Sequence, residues 1–183
     1  MKKLEKKWMS LMKKLNLILS SFFIILLIFS SNKTLSEEKI IFGKAKIIDG
    51  DTIKINNNKI RLYGIDAPEI KQLCKRVYLN IYFLSFKKKY LCGKISAQKL
   101  KKLLSNKIIK CHIEGIDRYK RILAICHRNK LNINSWLVRT GQAVAYKKYS
   151  KKYIIQEAEA RKSKLGIWNG DFEMPWEWRK NNK

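Results

Sequence analysis

Three of the four carboxylates in the stretch from Ile47 to Glu69, IIDGDTIKINNNKIRLYGIDAPE, form a candidate site with its single arginine. They are Asp51, Arg61, Asp66 and Glu69. Grouped carboxylates repel one another and stay ionised only when a cation compensates them. Oxygen ligands of this kind suit calcium or magnesium, and the forked, always-charged guanidinium of arginine suits a phosphate. The residue types therefore predict a hard-metal site beside a phosphate-binding group.

A short hairpin would bring these groups together. Apolar residues alternate with polar ones over 52–56 and again over 59–63, and three consecutive asparagines, 56–58, are typical of the turn between two strands. The start of the first strand then lies beside the end of the second, which places Asp51 near Asp66. The DGDT segment taken alone is equally consistent with solvated acids at the edge of a barrel.

A second charged group, DRYKR at 117–121, lies in the polar turn between apolar runs that predict strands over 108–113 and 121–126. Arg121 opens the second of these strands and is therefore held rigidly. Together with Arg61 it would clamp a phosphodiester, whose transition state gathers negative charge on its oxygens.

Two tyrosines, Tyr119 and Tyr146, are placed to flank a nucleotide and stack on a base, although a packing role is open for each. His112 and His127 lie on predicted strands without acidic or cysteine partners in motif spacing, and we interpret them as structural. The sequence therefore does not favour a histidine-based mechanism.

The four cysteines predict two disulfide bonds, since an even number after an export signal is typical of an oxidising compartment. If 108–113 and 121–126 form a hairpin, residues whose numbers sum to about 237 face each other, and Cys111 faces Cys126. Cys74 and Cys92 would then form the second bond. A zinc site is the alternative, but the CxxC spacing of a metal knuckle is absent.

The chain of 183 residues is long enough for one domain with additional segments. Its 41 Lys and Arg against 14 Asp and Glu give a formal net charge of +27, which favours a polyanionic partner such as nucleic acid. The lysines are spread along the whole chain, so the charge alone indicates only a very basic protein.

The first 31 residues predict a signal peptide or membrane anchor, because lysines precede an apolar run over 15–29. Cleavage would release an exported, secreted or periplasmic protein, and an uncleaved segment would tether it outside the cytoplasm. Met12 is an alternative start. Residues 32–39 read as a polar linker, and 40–183 as the domain. Its tail holds three of the five tryptophans, a density that predicts packing onto the domain.

Amphipathic patterns predict three helices in the domain, over 93–104, 131–140 and 152–164. In the third helix the residues predicted to face inward are Ile154, Ile155 and Ala158. The stretch 70–91 leaves two possibilities open: a helix packed on the domain, or a basic and aromatic surface that meets the substrate or a membrane.

Five segments in collinear order, IDGDT, RLYGIDAPE, DRYKRILA, LVRTGQAVAY and KLGIW, resemble the staphylococcal nuclease-like, or thermonuclease, family. The resemblance extends from about Ala45 to Trp168. It implies an α+β, β-rich fold, a five-stranded OB-type barrel with three helices. It also implies calcium-dependent hydrolysis of phosphodiester bonds.

The resemblance implies a role for each matching residue. The two calcium-binding aspartates of the family fall on Asp51 and Asp66, and Ala67 would contribute its backbone carbonyl. The carboxylate that positions or activates water falls on Glu69. The phosphate-binding arginines fall on Arg61 and Arg121, and the nucleotide-flanking tyrosines on Tyr119 and Tyr146.

Two departures from the family pattern are evident: Ala67 replaces a threonine, and the stretch between the first two cysteines is unusually long and apolar. The sequence as a whole predicts a monomeric, exported Ca²⁺-dependent nuclease that acts on DNA or RNA without reading sequence and needs no obligate protein partner. The alternative is a nucleic-acid-binding module of the same fold with little or no activity.

Overall fold

The computed structural model describes residues 2–29 and 39–182, so most of the predicted linker, 32–38, lies outside the described residues. The chain divides into two compact units, 1–37 and 38–183. The first contains helix α1, Lys2–Phe29. Among the residues that the structure describes, none of the helices combines the length and the apolar character that a membrane span requires.

The second unit is built mainly from strands. Its elements are β1 (Ile40–Ile47), β2 (Thr52–Ile55), β3 (Asn58–Leu62), β4 (Ile65–Asp66), β5 (Leu73–Ile81), β6 (Leu84–Leu91), α2 (Cys92–Leu104), β7 (Ile108–Ile116), β8 (Ile122–Arg128), β9 (Leu131–Asn132), α3 (Ile133–Arg139), β10 (Val144–Ala145), α4 (Ile154–Lys162), a 3₁₀ turn (Gly166–Trp168) and α5 (Pro175–Asn181).

Five strands close into a barrel. The order β3-β2-β1-β7-β8 is antiparallel throughout, and a parallel pairing of β3 with β8 completes the closure. Inward-facing aliphatic residues fill the interior, among them Ile53, Ile60 and Ile109. The predicted α+β, five-stranded OB-type barrel is confirmed. Within 39–182 the structure has four α-helices where the sequence predicted three, because the tail adds α5.

The β2–β3 hairpin follows the predicted alternation. Ile53 pairs with Ile60, and both side chains are buried. Asn56 adopts a left-handed backbone conformation with φ 52°, which asparagine tolerates better than most residues. The backbone amide of Leu62 donates to the carbonyl of Asp51 at 2.8 Å, so the end of one strand is fixed beside the start of the other.

The β7–β8 hairpin has the register expected from the sequence near its cysteines, with Cys111 paired to Cys126. A bulge between Ile113 and Gly115 then shifts the register by one residue toward the turn. The two cysteines form a disulfide with a Cα–Cα distance of 4.0 Å, inside the barrel wall. Cys74 and Cys92 form the second disulfide, with a Cα–Cα distance of 5.6 Å.

The inward face predicted for α4 is wrong. Ile154, Ile155 and Ala158 are exposed, and the buried residues are Tyr153, Glu157 and Ala160. The spacing of these three follows one face of a helix, but the central position is a charged residue that hydrophobic periodicity does not reveal. Glu157 is tolerated there because Lys147 and Arg161 pair with its carboxylate at 3.0 and 2.8 Å.

The stretch 70–91 forms no helix, so the first of its two sequence interpretations is wrong. It contains the antiparallel hairpin β5–β6, whose outer half is exposed to solvent. The tryptophan-rich tail, by contrast, packs onto the domain, as its composition predicts. Trp168 and Trp176 contact the cluster around the Cys74–Cys92 disulfide.

Gly93 allows helix α2 to begin directly against the backbone that carries Glu69. A Cβ atom at Gly93 would lie 1.9 Å from the carbonyl oxygen of Glu69, and backbone atoms cannot move aside as a flexible side chain can. We expect Gly93→Ala to lower the free energy of unfolding by about 1–3 kcal/mol, because it overpacks this contact. Urea denaturation measures the change.

Lys94→Ala is the matched control, since Lys94 is the next residue of the same helix and its side chain is exposed. It should leave the unfolding midpoint nearly unchanged. Equal stability of Gly93→Ala and the wild type would contradict the close approach of α2 to Glu69.

Candidate functional site

Asp51 lies in the loop that leads into β2, and its side chain is buried. Its Oδ1 atom accepts hydrogen bonds from Thr52 Oγ1 and Arg61 Nη1, each at 3.0 Å. Its Oδ2 atom accepts from the backbone amide of Ala67 at 2.9 Å. The carboxylate is thus tied to both strands of the first hairpin and to the segment that follows it.

Asp66 is fully buried at the end of β4, which pairs with β10 through Val144. Its Oδ1 atom accepts from Arg61 Nη2 at 2.6 Å. Arg61 therefore spans Asp51 and Asp66, and a single guanidinium holds two buried carboxylates side by side. The hairpin brings these three residues together as the sequence predicts.

The charge of this cluster is unevenly compensated. Burial raises the pKa of the Asp66 carboxyl, and repulsion from Asp51 raises it further, in spite of the neighbouring guanidiniums. Burial disfavours the charge of Arg61, but attraction to the two carboxylates outweighs this effect and raises the pKa of its guanidinium. The pair of aspartates is therefore an environment that favours an additional cation.

Glu69 joins the cluster through a residue that the sequence analysis missed. Arg179 of helix α5 donates from Nη1 to Glu69 Oε1 at 2.8 Å and from Nη2 to Asp66 Oδ2 at 2.7 Å. No motif spacing marks Arg179, which is more than a hundred residues away from both partners. The only sequence signal was its position within the tryptophan-rich tail, where packing on the domain was expected.

Arg121 and Tyr119 lie together at the turn between β7 and β8. The Arg121 guanidinium donates from Nε to Asp117 Oδ2 at 2.7 Å and lies 5.4 Å from the centre of the Tyr119 ring. Burial acts to raise the pKa of the Asp117 carboxyl, but hydrogen bonds from the Arg121 amide and side chain and from the Tyr119 amide outweigh burial and lower the pKa.

The parallel pairing of β3 with β8 relates this turn to the aspartates. Arg61 pairs with Leu123, and Arg121 is two residues earlier in the chain than Leu123. Arg121 itself lies just before β8, which begins at Ile122, so the strand pairing places its backbone near the part of β8 that runs beside Arg61. No contact joins Arg121 to the aspartates among the described residues, where its ion pair is with Asp117.

Tyr146 follows β10 and stacks on Trp176 of α5, with the ring centroids 5.4 Å apart and the planes 5° from parallel. Tyr149 meets it edge-on at 4.8 Å. Burial raises the pKa of the Tyr146 hydroxyl, and the charge of Asp66 adds to this effect. Tyr146 therefore lies close enough to Asp66 to sense its charge, and Trp176 covers one face of the Tyr146 ring.

The donor set at the aspartates fits a hard divalent cation. It consists of oxygen atoms only, from two carboxylates that Arg61 already holds together. Within residues 2–29 and 39–182, no three acidic, histidine or cysteine side chains converge closely enough to form a metal cage on their own. A cation here would accordingly use Asp51, Asp66, backbone carbonyl oxygen and water, which suits calcium or magnesium.

Comparison with known proteins agrees with this geometry. The profile of the family described as staphylococcal nuclease homologue matches residues 59–170. The chain is also 35% identical over 168 residues to an uncharacterized endonuclease of Haemophilus influenzae, covering 87% of this chain and 84% of the relative.

Two further relatives differ in their names. The chain is 30% identical over 156 residues to a micrococcal nuclease of Shigella flexneri, covering 75% of this chain and 79% of that protein. It is 35% identical over 136 residues to the succinoglycan biosynthesis protein ExoI of Rhizobium meliloti, covering 73% of this chain and 67% of that protein.

The Asp49 carboxyl makes the free energy of unfolding of the protein depend on pH. Burial, followed by repulsion from Asp51, raises the pKa of the Asp49 carboxyl to about 6 from an ordinary 3.8. Because the folded state binds this proton more tightly than the unfolded chain does, stability falls as pH rises through this interval. The carboxylate is then fully destabilising above about pH 6.

We expect Asp49→Asn to stabilise the metal-free protein by up to about 3 kcal/mol at pH 7 and to have little effect at pH 4. Asparagine retains the oxygen that accepts from the Asp51 amide at 3.0 Å. Urea denaturation of both proteins in EDTA across this pH range measures the difference. A constant difference at every pH would contradict the raised pKa of the Asp49 carboxyl, and Glu177→Gln, at an exposed carboxylate, is the control.

Proposed function

Because the chain belongs to the staphylococcal nuclease family, whose members are generally metal-dependent, we propose that it is a Ca²⁺-dependent nuclease that hydrolyses phosphodiester bonds of DNA or RNA. One observation carries the proposal. Two buried carboxylates from neighbouring segments, Asp51 and Asp66, share the guanidinium of Arg61 at one end of the barrel. A cation site and a phosphate-binding group are thus adjacent.

In this proposal Asp51, Asp66 and the backbone carbonyl of Ala67 hold calcium. When bound there, the ion would polarise a phosphoryl oxygen and offset negative charge on it. The hydrogen bond from the Ala67 amide to Asp51 Oδ2 supports the assignment, because it fixes this backbone segment against the first ligand. The alanine side chain is not needed when the carbonyl is the ligand.

Glu69 orients the attacking water and accepts its proton. The Glu69 carboxylate is only partly buried. The backbone amide of Glu69 donates a hydrogen bond to Gln72 Oε1 at 3.2 Å. The rigid start of α2 and the Cys74–Cys92 disulfide hold this segment near the aspartates. A base that must reach a water beside the metal needs such a fixed backbone.

Arg61 and Arg121 neutralise the charge that develops on the phosphate oxygens. The parallel pairing of β3 with β8, which begins directly after Arg121, supports a clamp around one phosphodiester. Arg121 also assists the leaving oxygen. Its hydrogen bonds to Asp117 hold the guanidinium in a single orientation before the substrate arrives.

The remaining assignments concern the substrate and the cell. Tyr119 and Tyr146 flank the nucleotide, and the net charge of +27 attracts either nucleic acid through its phosphates without reading its sequence. The two disulfides are typical of an oxidising, exported environment. Residues 1–31 act as the signal or tether in this proposal, and the protein works as a monomer.

A cleavage assay distinguishes a nuclease from a nucleic-acid-binding module of the same fold. Purified protein is incubated with plasmid DNA and with single-stranded RNA, in calcium or in EGTA, and its products are separated on gels. We expect cleavage in calcium and none in EGTA. Retention of the nucleic acid without cleavage in either buffer would overturn the proposal in favour of the binding module.

Arginine variants test the clamp in the same assay. We expect Arg61→Gln and Arg121→Gln each to lower turnover by about 10²–10³-fold, since each removes a donor to the transition state. Arg139→Gln is the matched control. Arg139 forms an exposed ion pair with Glu159, with 3.0 Å between Nε and Oε2, and it is not part of the proposed clamp. Full activity of Arg121→Gln would contradict its role.

A further inference from the structure

Arg179 occupies the two carboxylates to which the proposed mechanism gives the metal and the water. Its guanidinium donates to both oxygens of Asp66, at 3.1 and 2.7 Å, and to Glu69 at 2.8 Å. These three hydrogen bonds join the last helix of the domain to the centre of the candidate site. A third arginine therefore lies beside the proposed binding position of the scissile phosphate.

Several contacts build this position. Trp176, one turn before Arg179, stacks on Tyr146. Upstream of the helix, Gln72 Nε2 donates to the carbonyl of Glu173 at 2.7 Å. The amide of Lys75 donates to the carbonyl of Asp171 at 2.8 Å. Helix α5 is thus anchored on the same segment that carries Glu69, and Arg179 is presented to the site by packing.

The ion pairs at the site indicate which contact a bound metal ion would replace. Asp51, Asp66 and Glu69 face two guanidiniums, those of Arg61 and Arg179. A divalent cation on Asp66 competes for the oxygen atoms that Arg179 now uses, and two cations at one carboxylate repel each other. Arg179 is the one to yield, because its side chain is 35% exposed against 15% for Arg61, which Asp51 also holds.

We propose that Arg179 is a third phosphate-binding catalytic residue, which rests on Asp66 and Glu69 until calcium displaces it toward the substrate. The inference rests on the proposed nuclease function. The planar fork of arginine matches a phosphate as well as it matches a carboxylate, so the same two donor atoms serve both partners. Its release also frees Glu69 Oε1 for water.

Arg179→Gln separates this role from a merely structural one, because its two expected effects have opposite signs. Without substrate, calcium should bind about tenfold more tightly, since a competing charged partner is gone. At saturating calcium, turnover should fall by about a hundredfold, since a donor to the phosphate is gone. Arg179→Lys, which keeps the charge and loses the fork, should recover part of the turnover.

Isothermal titration with calcium and steady-state cleavage of a fluorescent oligonucleotide measure the two effects, with Arg139→Gln as the control and thermal unfolding as the check on folding. Folded Arg179→Gln with unchanged or weaker calcium binding would overturn the inference, and so would full turnover. If the wild type bound calcium and cleaved DNA normally, only the role of Arg179 would fail. If it did neither, the proposed function would fail too.

A different observation concerns the β5–β6 hairpin, which is apolar on one face of its outer half. The pairs Leu79–Phe86 and Ile81–Leu84 lie on one side, and the other side carries the pair Asn80–Ser85. At the tip Tyr82 is 99% exposed and Phe83 is 93% exposed. An exposed apolar patch of this kind marks an interaction surface.

Cations surround the base of the same hairpin. Lys75 faces Lys89 and Arg76 faces Lys88, although like charges directly opposite each other destabilise a strand pair. Lys87 pairs with Asp171 at 2.8 Å, and the charge of Asp171 also acts on Lys75, whereas among the residues that the structure describes no acidic side chain forms an ion pair with Lys88 or Lys89. An anionic partner at this level would relieve the repulsion.

We infer that the hairpin docks on a bilayer that contains anionic lipid. The apolar tip would enter the interface to the depth of the acyl boundary while the lysines contact headgroup phosphates. Nucleic acid satisfies the lysines but leaves the aliphatic side chains of Leu79, Ile81 and Leu84 exposed to water. A bilayer with anionic headgroups matches both the apolar tip and the cationic base.

Hydrogen exchange of the full chain tests the inference because it reports on the amides of the hairpin itself, separately from any membrane binding by residues 1–31. Phosphatidylglycerol-containing vesicles should slow exchange of amides 79–86 by about tenfold, and pure phosphatidylcholine should not. Tyr82→Ser combined with Phe83→Ser should abolish the protection, and Phe42→Ser, at an exposed aromatic residue of β1, should retain it. Protection by an oligonucleotide in EGTA but not by vesicles would overturn the inference in favour of nucleic acid.

Discussion

The structure depends on holding two buried like charges side by side. Asp51 and Asp66 repel each other in a place where water cannot screen them, and Arg61 is the group that keeps them together. The barrel makes this possible because β2 and β3 pair over their whole length and bring the two ends of the hairpin to one place. Burial raises the pKa of the Asp66 carboxyl, the same repulsion adds to this effect, and both favour the cation that we propose for the site.

The part of the site that contains Asp51 and Arg61 was predictable because these residues are close together in the sequence. Alternation over 52–63 determines the hairpin, the asparagine at 56 determines the turn, and the positions of Asp51 and Arg61 then follow. The register around Cys111 was predictable for the same reason. The bulge near Gly115 was not, because it depends on how the barrel closes and leaves no mark in the hydrophobic pattern.

What the sequence could not predict depends on distant parts of the chain. Arg179 reaches Asp66 from a helix that is held by contacts such as the stacking of Trp176 on Tyr146, and these contacts have no local signature in the sequence. The error at α4 has a related cause. Glu157 is buried because Lys147 and Arg161 compensate it, so the helix turns a charged residue inward and leaves Ile155 in solvent. Periodicity assumes that apolar residues decide the face, and ion pairing overrides it here.

The segment between Glu69 and Gly93 shows how a barrel can carry an additional surface without disturbing its chemistry. The Cys74–Cys92 disulfide joins the two ends of the insertion, and the contact of Gly93 with the Glu69 backbone fixes that junction against the barrel. The β5–β6 hairpin beyond the disulfide can therefore vary in length and polarity while Glu69 keeps its position. Since the tail pairs with β5 through Lys75 and carries Arg179 farther on, the same junction also determines where the third arginine enters the site.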